Sequence, residues 1–200
     1  MKWAKGFLLA ISCLIGSQAF AVGGDFTLKS DDGTDYSLAD SRGKIVVVAF
    51  GYTFCPDVCP TALATIGTAL NAIGDNAKQV DALFISLDPD RDTPENLKIY
   101  TRFFHPQLRG LTGEASTLAE VAKAYKVRYE FVGKGSKEHY TMDHSANLYV
   151  IDAVGQLVRI LPHGLPPEAL AESLRDVVNE SRKTIAGEQN SLSLNDGRDS

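Results

Sequence analysis

Apolar positions along this chain fall into two kinds of run. Ile45–Phe50 is continuously apolar and Val80–Leu87 nearly so, the pattern of strands covered on both faces. Between them Leu63, Ile66, Leu70 and Ile73 recur at helical spacing, which predicts a helix from Pro60 to about Gly74, with the glycine placed to end it. After the second strand, the polar loop Asp88-Pro89-Asp90-Arg91-Asp92-Thr93-Pro94-Glu95 opens another helix, with Thr93 as N-cap and Pro94 in its first turn. That helix runs to about Phe104 and presents Leu97, Tyr100, Thr101 and Phe104 together. A third, Thr117–Val127, turns Leu118, Val121, Ala122 and Tyr125 inward.

Shorter signals complete the pattern. Phe26–Lys29 and Tyr36–Leu38 flank a Ser-Asp-Asp-Gly turn and read as an N-terminal β-hairpin. Residues 128–132 form a short strand, and Gly133–Tyr140 reads as a mobile loop. Leu148–Asp152 and Gln156–Ile160 pair across Ala153-Val154-Gly155, and a last helix runs from Pro166 or Pro167 to about Asn179. This order predicts an α/β, thioredoxin-like fold with an N-terminal β-hairpin and an inserted strand-helix segment before the final strand pair. In that architecture the first strand-to-helix turn and the loop before the last strand pair meet at one end of the sheet.

The two ends of the chain stand outside this pattern. Lys2 and Lys5 precede the apolar run Phe7–Ile15, and Ala19-Phe20-Ala21 fits a small-x-small cleavage site, so residues 1–21 read as a signal peptide. The run is shorter than the ~20 residues that span a bilayer; if it is retained, it becomes an inner-membrane anchor. The exported, periplasmic domain is then 22–180, and the polar stretch 181–200 reads as a disordered tail. Export removes two lysines and no acids, which moves the net charge from −5 to −7 and argues against a nucleic-acid partner. Membrane contact is expected only if the N-terminal segment stays.

Processing also removes Cys13 and leaves Cys55 and Cys59 as the domain's thiols. They sit in Gly51-Tyr52-Thr53-Phe54-Cys55-Pro56-Asp57-Val58-Cys59-Pro60, on the turn from the first buried strand into the first helix. Pro60 biases Cys59 away from helical geometry, which places it at the helix entrance, where unpaired N–H groups favour thiolate. In an oxidising compartment two such thiols pair unless something reduces or binds them. A bridge closing so short a loop would do little for stability, which leaves metal binding or redox chemistry as the sharper readings.

Of four histidines, His105 reads as a dipole partner at a helix end, and His139 and His163 as exposed loop residues. His144 precedes the strand Asn147–Asp152, where the expected fold brings it beside the cysteines. Two thiolates and an imidazole make a soft three-donor set that favours copper modestly over zinc, because a structural zinc site takes four ligands.

Three segments together strengthen the reading. The cysteine stretch, Leu87-Asp88-Pro89-Asp90-Arg91-Asp92-Thr93-Pro94, and Asp143-His144-Ser145-Ala146-Asn147-Leu148-Tyr149-Val150-Ile151-Asp152 strongly resemble the Sco/SenC family over roughly residues 25–180. The resemblance implies a thioredoxin-like domain binding one copper through Cys55, Cys59 and His144. It implies a metallochaperone, rather than a turnover enzyme, that assists assembly of the copper centre of cytochrome c oxidase. Partners would be the copper-receiving oxidase subunit or another copper chaperone. Asp57 and Asp143 are placed to orient the ligands or to meet a partner. The alternative is an exported thiol:disulfide oxidoreductase, with Cys55 and Cys59 as a redox-active disulfide that keeps the recipient's cysteines reduced. Against it as the sole role, thioredoxins space their cysteines one residue closer, and Ala146 stands where they carry a cis-proline.

Overall fold

A computed structural model describes residues 22–133 and 140–196, with side chains as far as Thr184. The expected signal peptide 1–21, most of the expected mobile loop (134–139, with His139) and residues 197–200 lie outside the described residues.

The hairpin is β1 (Thr27–Ser30) and β2 (Asp35–Ser37), with Leu28 opposite Tyr36. Next come β3 (Ile45–Gly51), α1 (Val58–Ile73), β4 (Val80–Ser86), α2 (Pro94–Phe104) and β5 (Leu108–Thr112). Then follow α3 (Ala115–Ala124), β6 (Tyr129–Val132), β7 (Thr141–His144), β8 (Leu148–Ile151), β9 (Leu157–Leu161) and α4 (Pro167–Asp196). The main sheet has seven strands in the order β2-β1-β5-β4-β3-β8-β9, and β6 and β7 form a separate pair. β3, β4 and β5 run parallel, while the other pairings are antiparallel. This is the expected thioredoxin-like α/β arrangement.

Every residue of β3 is buried, which explains its unbroken apolar run. Ala49 and Phe84 are register partners and share a face, on which Phe84 meets Tyr100 of α2; Phe50 points the other way, to Tyr125 at the end of α3. Helices therefore cover both faces. Phe26, Phe50, Tyr125 and Tyr149 meet edge-on or tilted, with ring centres 5.5 to 6.1 Å apart, the favourable geometry for aromatic pairs.

The structure departs from the sequence pattern in four places. β5 is absent from it because Arg109, Gly110 and Thr112 leave only two apolar residues, Leu108 and Leu111, in the pentapeptide; the strand exists because β4 and β1 flank it. β7 is likewise new, and His144 ends it rather than lying in a loop. Helix α1 starts at Val58, so Cys59 is helical; proline is tolerated in a first turn whose N–H groups need no helical partner. Finally, α4 continues through residues 181–196 of the expected disordered tail. No proline or glycine interrupts Ser181–Ala186, and Arg182 donates to Gln79 and Asn76, tying that extension to the 3-10 segment Gly74–Gln79 between α1 and β4. Among the described residues, no helix is long and apolar enough to cross a membrane.

Candidate metal centre

The turn after β3 and the end of β7 bring Cys55, Cys59 and His144 together. One donor atom from each lies within 4.8 Å of the other two. Neither cysteine is in a disulfide. Cys55 sits just inside the surface at 8% exposed, and Cys59 lies deeper at 2%. The helical backbone places Cys59 N–H 3.4 Å from the Cys55 sulfur, so a free donor of the first turn serves the other thiol.

The state of Cys59 differs from the sequence expectation. Burial pushes its pKa well above the ordinary thiol value, and this outweighs the polarity of the helix end. Cys59 therefore keeps its proton until something replaces it. Its sulfur is 3.3 Å from His144 Nε2. The other ring nitrogen, Nδ1, is 3.0 Å from the Ser145 carbonyl, which can only accept, so Nδ1 carries the hydrogen. Nε2 then presents a bare lone pair to the sulfur, the tautomer a metal ligand needs. Burial also lowers the pKa of His144, keeping the ring neutral. An S–H donating to an imidazole lone pair is an arrangement in which a metal ion could take the proton's place.

Residues 16–179 match the profile of the SCO1/SenC family. The chain belongs to that family. A SCO2-like protein of Rickettsia conorii is 35% identical over 156 residues, which are 78% of this chain and 76% of the relative. The solved structure of Bradyrhizobium japonicum ScoI with copper bound is 40% identical, with a TM-score of 0.73, over 78% of this chain and 99% of that one. Arabidopsis thaliana ScoI with copper bound is 32% identical, also with a TM-score of 0.73, over 80% of this chain and 99% of that one.

In this SCO1/SenC chain the donors are held by residues far away in sequence. Tyr52, 2% exposed, accepts from the Met142 N–H at 3.1 Å and sets its ring edge-on to His144, with centres 6.0 Å apart. Tyr140, just before β7, donates to Asp88 at 2.6 Å; burial and that bond push its phenol to about 12. Arg91 pairs with Asp88, donates to the Tyr140 carbonyl at 3.0 Å and lies over the Tyr140 ring, 3.6 Å from its centre. The start of the cysteine loop is pinned by Asp92, which accepts from Thr53 N–H, Thr53 Oγ1 and Ser86 Oγ. Asp88 and Asp92 are thus internal fasteners between the loop after β4, the cysteine turn and β7.

Other expectations resolve as follows. Phe54, just before Cys55, is 60% exposed, with the Arg91 guanidinium 4.7 Å from its ring centre. Asp57 occupies the N-cap position of α1 without a side-chain capping bond, and Asp143 is exposed on β7. The Nδ1 partner of His144 is the Ser145 carbonyl rather than either carboxylate. His105 caps the C-terminus of α2, the helix end where the sequence places it; burial lowers its pKa, Nδ1 accepts from Gln107 N–H, and Nε2 faces Asn71. Pairing of Arg91 with an acid of its own loop is what the sequence suggests, but the ties from that loop to Tyr140 and Thr53 are missing from the sequence reading. The one clue to them is the density of polar residues in a loop that N-capping by Thr93 only partly explains.

Gly51, the last residue of β3, shows how tightly the turn is packed. A Cβ placed there would collide with the Cys59 sulfur and lie 3.0 Å from the Phe84 ring. Gly51→Ala is therefore expected to cost about 1–3 kcal/mol, the range for overpacking a core, and to displace Cys59. Urea unfolding of the metal-free variant measures the first effect. Wild-type stability in that variant would mean that the turn yields freely.

Proposed function

We propose that this SCO1/SenC protein is a copper carrier in which Cys55, Cys59 and His144 hold one copper ion as cargo. Its role is to assist assembly of the copper centre of cytochrome c oxidase. The observation that carries the reading is the bare Nε2 lone pair of His144 aimed at the Cys59 sulfur, with the Cys55 sulfur beside it. Copper uptake replaces the Cys59 proton, and the donors stay in place because Ser145, Tyr52 and the Arg91–Asp88 pair already orient them. Two sulfurs and an imidazole suit Cu(I), and the copper-bound ScoI structures support copper over zinc. The resemblance noted in the sequence supports the oxidase subunit, or another copper chaperone, as partner. The signal-like N-terminus supports a periplasmic location, with membrane anchoring if that segment is retained.

The contact between two free thiols also favours a second reading. Attack by Cys55 on a recipient disulfide would give a mixed disulfide, which Cys59 resolves; both thiols are oxidised to one disulfide and the recipient gains two thiols. The same chemistry provides the test. Reduced protein should take up about one copper per chain, whereas protein oxidised to the Cys55–Cys59 disulfide should bind poorly, since both sulfurs are spent as thiolate donors. Metal analysis after gel filtration, with thiol titration of each sample, reads this directly. Full uptake by the disulfide form would remove the cysteines from the site.

A further inference from the structure

Three donors leave a Cu(II) ion short, because that oxidation state prefers tetragonal sites rich in nitrogen and oxygen. The fold brings one more imidazole to the same place. β8 and β9 pair antiparallel with Leu148 opposite Leu161, and continuing that register by two residues sets His163 opposite Ala146. β3 and β8 pair with Ala49 opposite Leu148, so the same continuation sets Ala146 beside Gly51, the residue against which the Cys59 sulfur rests. Ala146 is in turn two residues from His144. The cysteine turn, the segment after His144 and the turn between β9 and α4 therefore lie side by side at one end of the sheet.

These three segments border one cavity. It measures about 490 Å³, and Cys55, Asp57, Met142, His144 and His163 are among its lining residues. At about 30 Å³ per water, the space exceeds what one metal ion fills and leaves room for a side chain to move across it. His163 is exposed in a Pro162-His163-Gly164 turn. Gly164 has a φ of 80°, which gives the turn a sharp bend. No hydrogen bond or ion pair to a described residue holds the His163 ring, unlike that of His144, so it is free to rotate toward the cavity.

We propose that His163 is a fourth donor, specific to Cu(II). It completes a two-sulfur, two-nitrogen set with Cys55, Cys59 and His144, while Cu(I) is held without it. The proposal rests on the copper reading above. No bond is broken and no electron moves when the ring closes; neutral imidazole donates a lone pair to a metal already on the cysteines.

The test uses the reduced full chain as wild type, His163→Ala, His144→Ala and Cys55→Ser, each loaded without oxygen with Cu(II) and separately with Cu(I). Pulsed electron paramagnetic resonance on the Cu(II) samples counts coupled imidazoles: two are expected in the wild type, and one in either histidine variant. Competition titration should show Cu(II) affinity falling about tenfold or more in His163→Ala, with Cu(I) affinity unchanged. One coupled imidazole in the wild type, or a His163→Ala signal identical to it, overturns the role of His163 while leaving the copper site standing. Undiminished copper uptake by Cys55→Ser overturns that site and this proposal with it.

Discussion

Cys55→Ser and Cys59→Ser are each expected to abolish tight copper binding while leaving the fold in place. A hydroxyl is a hard, neutral oxygen at physiological pH and does not replace a thiolate for a soft ion. Cys59 is the more instructive position. Its sulfur is buried against Gly51 and His144, and burial holds its thiol protonated in the metal-free chain. Copper must displace that proton, so uptake by the wild type should release acid and weaken as pH falls, as competition for a thiolate requires. In Cys59→Ser that proton release disappears together with the binding. The substitution puts a smaller, more polar group in a buried site and should cost about 1 kcal/mol of stability, typical of a point change, too little to unfold the domain. Metal stoichiometry, proton release in unbuffered titration and circular dichroism check the three parts. Unchanged stoichiometry in either variant would falsify the site.

His144→Ala should weaken Cu(II) binding more than Cu(I) binding. Two thiolates can hold Cu(I) in a linear arrangement, whereas Cu(II) loses a nitrogen donor it needs. The wild-type ring is ready for the metal: burial lowers its pKa below the ordinary value of 6.5, so it enters coordination without first shedding a proton. The same shift fixes a sign for stability. Because the folded chain resists protonating His144, the unfolded chain takes up the proton first. The native state therefore loses stability as pH falls from about 6.5 toward the lowered value. His105 is shifted in the same direction, so the variant should lose only part of that slope. The variant should fold, since the ring is half-buried at a strand end rather than in the core. Equal losses for both oxidation states would mean that Cu(I) depends on His144 as much as Cu(II) does, and would refute the expected difference.

Local pattern carried much of this protein. The unbroken apolar run at residues 45–50, the helical spacing from Leu63 to Ile73 and the Thr93-Pro94 start signal are short-range features, and each element formed where its pattern lay. Placing Cys55 and Cys59 on the turn between a buried strand and a helix needed nothing more. His144 could be set beside them because the order of elements implied the topology.

What the sequence did not show depends on contacts between distant residues. Leu108–Thr112 is a strand because β4 and β1 flank it, not because of its own alternation. The bonds that orient the site join Thr53 to Asp92, Arg91 to Tyr140 and Tyr52 to Met142, across 39, 49 and 90 residues. No local periodicity encodes such pairs. The same holds for the thiol at Cys59: its position at the start of a helix predicts a thiolate, but tertiary burial, which that position does not reveal, raises its pKa instead. Sequence thus determined which residues could bind a metal and roughly where they lie. Tertiary structure decided which of them carry protons, which way they point and what holds them there, because desolvation and hydrogen bonding are properties of the packed surroundings.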